Sequence, residues 1–586
     1  MKLCTVFRTL LFVTVPFFGA LRVLHSAEIP ADLIIHNAKV ISVNSSFALG
    51  QAIGVRGDKI IAVGKDKQLE PFHGPNTRMI DAHGATVMPG LYDSDVDSYA
   101  ATVSELTSTT PKLNSLAEAF KYIREQAAHK PTNSWITIDH VYPTRVTEGR
   151  LPTKAELDAA APNHPVYWNC GPLVMLNSKA LQISKITSAT TNPPGGEIVF
   201  KSDSVEPSGL LRNAAELVKI PPTRPPAAEQ TRAALKQLYQ SYNQQGITSI
   251  CESDAEPAAI DLFRDLSQSD ELTVRIHCMR PIDPAPTIDE SLARLNVVTN
   301  AAHGKLPYGP TGVGDNWVRI GALKCRLDGD VLTGSAYLRA PWGIGPTYGI
   351  TEPSYRGNFF EESEVLPDLF LKAIKQGWQL SADCTGDACL DQVLNSFEKV
   401  QFKTDIRQGR FIINHASFQA AQDWTRCRDL GVAASLQPAW LYFDGDSLEK
   451  TLGDHRLKNF IAAKSWLTNG VTIGMGSSHF AKLDSATAIN SWSPWLGMET
   501  LLTRQASSGA EIHPEEALDR ANAIRCYTIN NAYLGFEENN RGSLELGKLA
   551  DLIMIDTDIL KCPVNQVRDT KVLLTMVGGK IVWEAK

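Results

Sequence analysis

The sequence holds ten cysteines and 13 histidines, yet it has no Cys-x-x-Cys pair, no two histidines at i and i+2, and no His-Glu-x-x-His. Cys4 stands near the start and the other nine cysteines are scattered from 170 to 562, which is no disulfide framework; each thiol reads first as a small buried hydrophobe. The missing histidine pairs exclude a conventional local zinc motif. Basic tracts are absent too, and the net charge is -7, so neither nucleic acid nor an anionic membrane surface is expected as the main partner. A small molecule is the default ligand. With 43% hydrophobic and 21% charged residues, the chain fits neither a disordered nor a polytopic membrane protein.

What is present begins with an export pattern: Lys2 and Arg8 precede the apolar stretch Thr9 to Leu21, and small residues follow at Ser26 and Ala27. Residues 1–27 are therefore expected to be a signal peptide, with the protein periplasmic or secreted. The stretch is shorter than the ~20 residues of a membrane span and contains Pro16 and Gly19, so no stable span is expected in the mature chain. Leu24 and His25 are poor neighbours for a cleavage site, which keeps an uncleaved anchor as the alternative.

A chain of 586 residues suits one α/β barrel with insertions plus a small satellite domain. Short alternating strands run from Asp32 to Pro89, and the style returns in KLADLIMID and VLLTMVGGKIVWE, where Gly578-Gly579 marks a hairpin. Each set alone would leave an apolar face uncovered. Residues 32–89 and 543–586 are thus expected to build one composite β-sandwich, with 90–542 as the barrel. Candidate barrel strands are VMPGLYDSDVD, PVYWNC, GITSICES, WVRIGALKCRLDG, GWQLSADCTGD, RFIINHAS, GVAASLQPAW and GVTIGMGSS. Several end in polar residues, and the C-terminal ends of barrel strands are where chemistry is placed. The Gly-, Pro- and aromatic-rich stretch 340–359 is read as either a lid or a plain surface loop.

In order, VMPGLYDSDVD, LPTKAELDAAAPNHPVY, LNSKAL, PPGGEI, GLLRNAAELV, GITS, ALKCRLDG, GWQLSADCTGD and ELGKLADLIMID resemble the type 3 amidohydrolases, the YtcJ-like and exoenzyme regulatory protein-like group. The resemblance implies a (β/α)₈ TIM-type barrel holding one or two divalent metals that activate water against a carbon bonded to nitrogen. It also implies the ligands: a His-x-His pair after strand 1, a lysine on strand 4 that can be carbamylated, a histidine on each of strands 5 and 6, and an aspartate after strand 8 that takes the water's proton.

At most of these positions the chain differs. Asp95 and Asp97 stand in place of the His-x-His pair, Asp383 in place of the strand 5 histidine, and Ser478 in place of the strand 8 aspartate; Lys324 and His415 remain. Two further family histidines are replaced by Pro172 and Cys251. As a metal set, Asp95, Asp97, Lys324, Asp383 and His415 would be rich in oxygen, suited to Mg²⁺, Mn²⁺ or Ca²⁺ more than to Zn²⁺. The same residues also make sense with no metal, because an uncarbamylated Lys324 would compensate the crowded carboxylates. A hydroxyl at Ser478 cannot act as a carboxylate base, and the adjacent His479 is the candidate substitute, although neighbouring strand residues face opposite sides. Asp328, Cys251 and Cys170 fall near strand ends and are candidates for substrate contact. The expected activity is hydrolysis of a non-peptide carbon–nitrogen bond of a small molecule, with a divalent metal (Mn, Mg or Zn) or none. The alternative is a catalytically degenerate relative that binds a small ligand or regulates. Oligomeric state is not legible.

Overall fold

The computed structural model describes residues 29–193, 195–201, 204–360 and 364–586, so the expected leader at 1–27 lies outside the described residues. Eight parallel strands form the centre: β1 (Leu91–Val96), β2 (Ile247–Glu252), β3 (Arg275–Pro281), β4 (Val318–Arg326), β5 (Leu380–Cys384), β6 (Ile412–His415), β7 (Ala433–Leu436) and β8 (Ile473–Met475). Each pairs with its neighbour in chain order, and the ring is drawn together where Val96 bridges His479. There Ser478 N–H donates to the Asp95 carbonyl at 2.8 Å and Asp97 N–H to the His479 carbonyl at 2.8 Å. Helices cover the outside, so these strands are buried on both faces, the polar residues of LYDSDV, ITSICE and LSADC included.

The sequence pattern misplaces one strand. PVYWNC is apolar enough to pass for a barrel strand, but Val166–Cys170 lies inside a separate five-stranded sheet, between Leu173–Leu176 and Ile136–Asp139. Its place in the barrel is taken by β3, whose Arg275, His277 and Arg280 disguise a buried strand. Both arginines are met from outside the strand, while the two ring nitrogens of His277 have no hydrogen-bond partner among the described residues. Arg275 Nε and Nη2 donate to the Asp551 carboxylate at 2.7 and 2.9 Å, Arg280 donates to the Ala255 carbonyl, and His277 stands 3.7 Å from Glu537.

Strands from the two ends of the chain share sheets and a core. One sheet runs Lys580–Glu584, Val572–Val577, Leu552–Ile555, Thr86–Pro89, Lys39–Ile41, Leu49–Gly50; a second holds Lys59–Gly64, Ala52–Arg56, Leu33–His36 and Arg78–Asp81. Leu33, Ile35, Val40, Ile53, Leu552, Leu574 and Met576 fill the space between them. The last hairpin turns at Gly578 and Gly579, both at positive φ, and a Cβ on Gly579 would meet the Gly57 carbonyl at 2.0 Å, so only glycine fits. Asp551, which holds Arg275 of β3, also accepts from Gly578 N–H at 2.8 Å, tying this part to the barrel wall.

The stretch 340–359 is pinned over the barrel's C-terminal side. Trp342 and Tyr348 are buried, Tyr348 O–H donates to the Val331 carbonyl at 2.6 Å, and Arg456 donates to the Pro341 and Ala340 carbonyls. Among the described residues no helix is long and apolar enough to cross a membrane.

Candidate functional site

Five strands deliver polar side chains to one end of the barrel: Asp95 from β1, the Ser253–Asp254 step after β2, Lys324 from β4, Asp383 from β5 and His415 from β6. Lys324 is central and 4% exposed. Its Nζ donates to Ser253 Oγ at 2.9 Å and lies 2.9 Å from Asp254 Oδ1 and 3.0 Å from Asp383 Oδ2. Burial alone would lower the affinity of this amine for a proton, but Asp254, Asp383, Asp97 and Asp95 together raise its pKa well above the ordinary lysine value. Arg326, two residues on, is raised by Asp254, Asp383, Asp283 and Asp97 against its own burial.

The carboxylates divide. Burial works against ionisation of Asp383, yet Lys324, His415 and a hydrogen bond from Asn414 Nδ2 at 3.1 Å hold it below its usual pKa. For Asp95 burial wins over the charges of His415 and Lys324, and its pKa is raised. Asp97 is raised well above its usual value by burial and by the nearby Asp254 charge. Asp95 Oδ2 and Asp97 Oδ1 are buried and have no hydrogen-bond donor.

Asp97 precedes the helix Ser98–Thr107 without capping it through its side chain. Glu252, the last residue of β2, does that work: its carboxylate accepts from Ser98 N–H at 3.0 Å, Ser98 Oγ at 2.5 Å and Tyr99 N–H at 3.0 Å. Asp97 is thereby left free of the cap. Burial pushes Glu252 up to about 7.

His415 is held on three sides. Its Nδ1 lies 3.1 Å from Gln437 Oε1, its ring packs against Trp440 at 4.8 Å, and Nε2 stands 3.9 Å from Asp383 Oδ1. Gln437 Oε1 is an acceptor, so Nδ1 is the donor of that contact. The φ of His415 is 74° and that of Ser478 is 50°, left-handed backbone that non-glycine residues adopt at a cost of order 1–3 kcal/mol and that clusters at sites of function.

The remaining sequence candidates fall elsewhere. His479 is fully buried behind the strand, with Nδ1 2.8 Å from Tyr242 Oη and Nε2 2.7 Å from the Lys482 carbonyl, and burial pushes it down to about 4. It turns away from the cluster, as strand alternation requires. Ser478 commits its backbone N–H to Asp95 and its carbonyl to Asn490 Nδ2. Asp328 accepts from Thr385, Gly386 and Tyr337 N–H at 2.8, 2.8 and 2.9 Å, so it anchors the end of β5. Cys170 sits in the five-stranded sheet, its thiol against the Val141 carbonyl. Cys251 is buried in the barrel wall, where burial raises its thiol well above the usual range.

Sequence reasoning missed Asp254, Ser253, Glu252, Asn414 and Gln437. The first three follow Cys251 in ICESD at the strand's C-terminal end, where the rule about polar strand ends already pointed.

A cavity of about 830 Å³ lies on the same side of the barrel, lined among others by His140, Arg145, Phe443, Lys450 and Lys482. That volume accommodates a small organic molecule. None of the cluster residues lines it.

Whether the cluster fits a metal turns on its donors. Among the described residues, no three His, Cys, Asp or Glu side chains stand together as a set able to hold an ion. The cause is visible: Lys324 draws Asp254 and Asp383 onto its own charge. As arranged, these residues do not fit a divalent metal.

The profile of the amidohydrolase family (Amidohydro_3) matches residues 78–583. The chain is similar to the N-substituted formamide deformylase of Arthrobacter pascens, 27% identical over 94% of this chain and 98% of that one. It is also similar to Protein LONG AFTER FAR-RED 3 of Arabidopsis thaliana, 26% identical over 94% of this chain and 92% of that one. Its fold is similar to that of an uncharacterized metal-dependent hydrolase from Pyrococcus horikoshii, with a TM-score of 0.62 and 20% identity over 91% of this chain and 99% of that one.

Proposed function

The chain belongs to the amidohydrolase family, and from that premise we propose that it hydrolyses a non-peptide carbon–nitrogen bond of a small molecule at the C-terminal mouth of the barrel. The observation that carries this reading is the meeting of Lys324, Asp383, Asp95 and His415 from four strands at that end. The deformylase relative, whose name describes C–N chemistry on a small molecule, supports it.

Hydrolysis needs a base for the water, positive charge near the developing oxyanion, and a proton for the departing nitrogen. With Nδ1 engaged by Gln437, Nε2 is the ring nitrogen left to act as base, and the His415 side chain is 16% exposed, so we assign it the water's proton. Water oxygen then bonds to the carbonyl carbon, the C–N bond breaks, and the imidazolium returns the proton to nitrogen. Lys324 supplies positive charge at a distance, since its three protons already have acceptors. Asp383 faces His415 Nε2 and would stabilise the imidazolium. No step here runs through a metal.

The test is turnover of a panel of N-substituted formamides and other small amides by the purified chain, followed by release of the amine. Release that disappears in His415→Gln supports the reading. No release from any compound, with binding retained, would instead favour a second reading: a binding or regulatory protein that keeps the mouth without turnover. One observation speaks for that second reading, namely that Ser478 stands where the family resemblance implies a carboxylate base, while His479 is packed away from the site.

A further inference from the structure

We propose that Lys324, held as an ammonium by Asp254, Asp383 and Ser253, is the resident cation of the barrel mouth and stands in place of both the divalent metal and the lysine carbamate that the family resemblance implies. An ammonium has three N–H groups, and Lys324 Nζ has three acceptors at 2.9, 2.9 and 3.0 Å from three different residues. Its hydrogen-bonding capacity is complete. Carbamylation would join Nζ to the carbon of CO₂ with loss of protons, turning this cation into an anion. That anion would sit against Asp254 and Asp383, with Asp95 and Asp97 close by, and the three contacts would be lost. A metal ion at Asp383 would compete with Nζ for the same carboxylate and leave two cations side by side.

Asp254 is the residue that makes the difference. It comes from the step after β2, outside every ligand position the resemblance carries over, and its side chain is 40% exposed while Lys324 is enclosed. It therefore brings a carboxylate to Lys324 from the open side, where the protein loses little by keeping it charged. The inference concerns the same mouth as the proposed hydrolysis but does not depend on it, because its readouts are stability and composition; either can fail while the other stands.

The test is a set of melting curves on the full chain: wild type, Asp254→Asn, Lys324→Met and the double variant. Asp254→Asn is expected to lower the melting temperature, because it strips the ammonium of a partner. Were Lys324 a carbamate beside a metal, Asp254 would be a surplus anion and its removal would leave the melting temperature unchanged or raise it; either result overturns the proposal. Lys324→Met is expected to lower it further, and adding Asp254→Asn to Lys324→Met to restore part of the loss. A double variant no more stable than Lys324→Met alone also overturns it. If Lys324→Met fails to fold, Asp254→Asn decides alone, together with wild type equilibrated in ¹³C-bicarbonate. That sample is expected to carry no labelled carbamate, and a label on Lys324 would refute the assignment.

Discussion

Lys324 of β4 and Asp254 of the step after β2 form an ion pair 2.9 Å long that reaches across β3, the strand between them. The same ammonium holds Asp383 of β5, so three parts of the rim depend on one charge. Lys324→Met should accordingly cost more than a surface ion pair would, on the order of 3–5 kcal/mol, because it leaves buried carboxylates uncompensated. Chemical denaturation of the variant against wild type measures this, and a loss below about 1 kcal/mol would put the pair among surface bridges.

His415 separates chemistry from stability. The Gln437 contact and the Trp440 face fix its ring, so His415→Gln keeps the size of the group while removing a titratable lone pair. The expected result is a fall in kcat of about 10²–10⁴ with KM and Tm nearly unchanged. An unchanged kcat on a substrate the wild type turns over would remove His415 from the mechanism.

Glu252 carries a pH signature. Its folded pKa is raised to about 7 from an ordinary 4.5, chiefly by burial, so the folded state holds a proton that the unfolded chain has released. Its contribution is full below pH 4.5 and lost as pH rises through about 7. Glu252→Ala should remove the cap of the helix Ser98–Thr107, costing about 1–2 kcal/mol. It should also flatten the decline of stability between pH 4.5 and 7. Melting curves across that range check both effects, and a parallel offset with no change of slope would refute the pH assignment.

His479 behaves in the opposite sense. Burial lowers it to about 4, so between pH 4 and 6.5 the unfolded chain binds a proton that the folded chain does not, and stability is lost as pH falls through that window. By NMR its imidazole should stay neutral down to about pH 5. A midpoint near 6.5 would mean that the ring reaches solvent.

How much of this was legible in the sequence depends on where polarity is compensated. Seven of the eight barrel strands fall within the segments that the sequence pattern marks, and in β1, β2 and β5 every residue is buried. The eighth, β3, falls in none of them: Arg275 and Arg280 look like surface residues until Asp551 and the Ala255 carbonyl arrive from distant parts of the chain. Val166–Cys170 misleads in the other direction, since a central strand of any sheet reads as apolar. Within the site, Lys324, Asp383 and His415 are found by resemblance. Asp254 is not, because the resemblance assigns nothing there and only the fold brings residue 254 to residue 324.

The termini offer a separate check. Val572–Val577 and Lys580–Glu584 form the edge of a sheet whose core includes Leu574 and Met576. Deleting Lys571–Lys586 should expose that core and lower the melting temperature or abolish soluble expression, and an unchanged melting curve would contradict it. For the export pattern at 1–27 we propose removal after Ala27. N-terminal sequencing of native protein checks this, and a start at Met1 or Lys2 would favour the anchor.

The central claim is that a lysine, and not a metal, neutralises this mouth, and the most direct measurement is metal content and melting temperature on one preparation purified without chelator. The account predicts sub-stoichiometric metal and a melting temperature indifferent to EDTA and to added Mn²⁺, Mg²⁺ or Zn²⁺. One equivalent of metal per chain, or a metal-dependent gain approaching ~2.7 kcal/mol at a hundredfold excess over the dissociation constant, would contradict it.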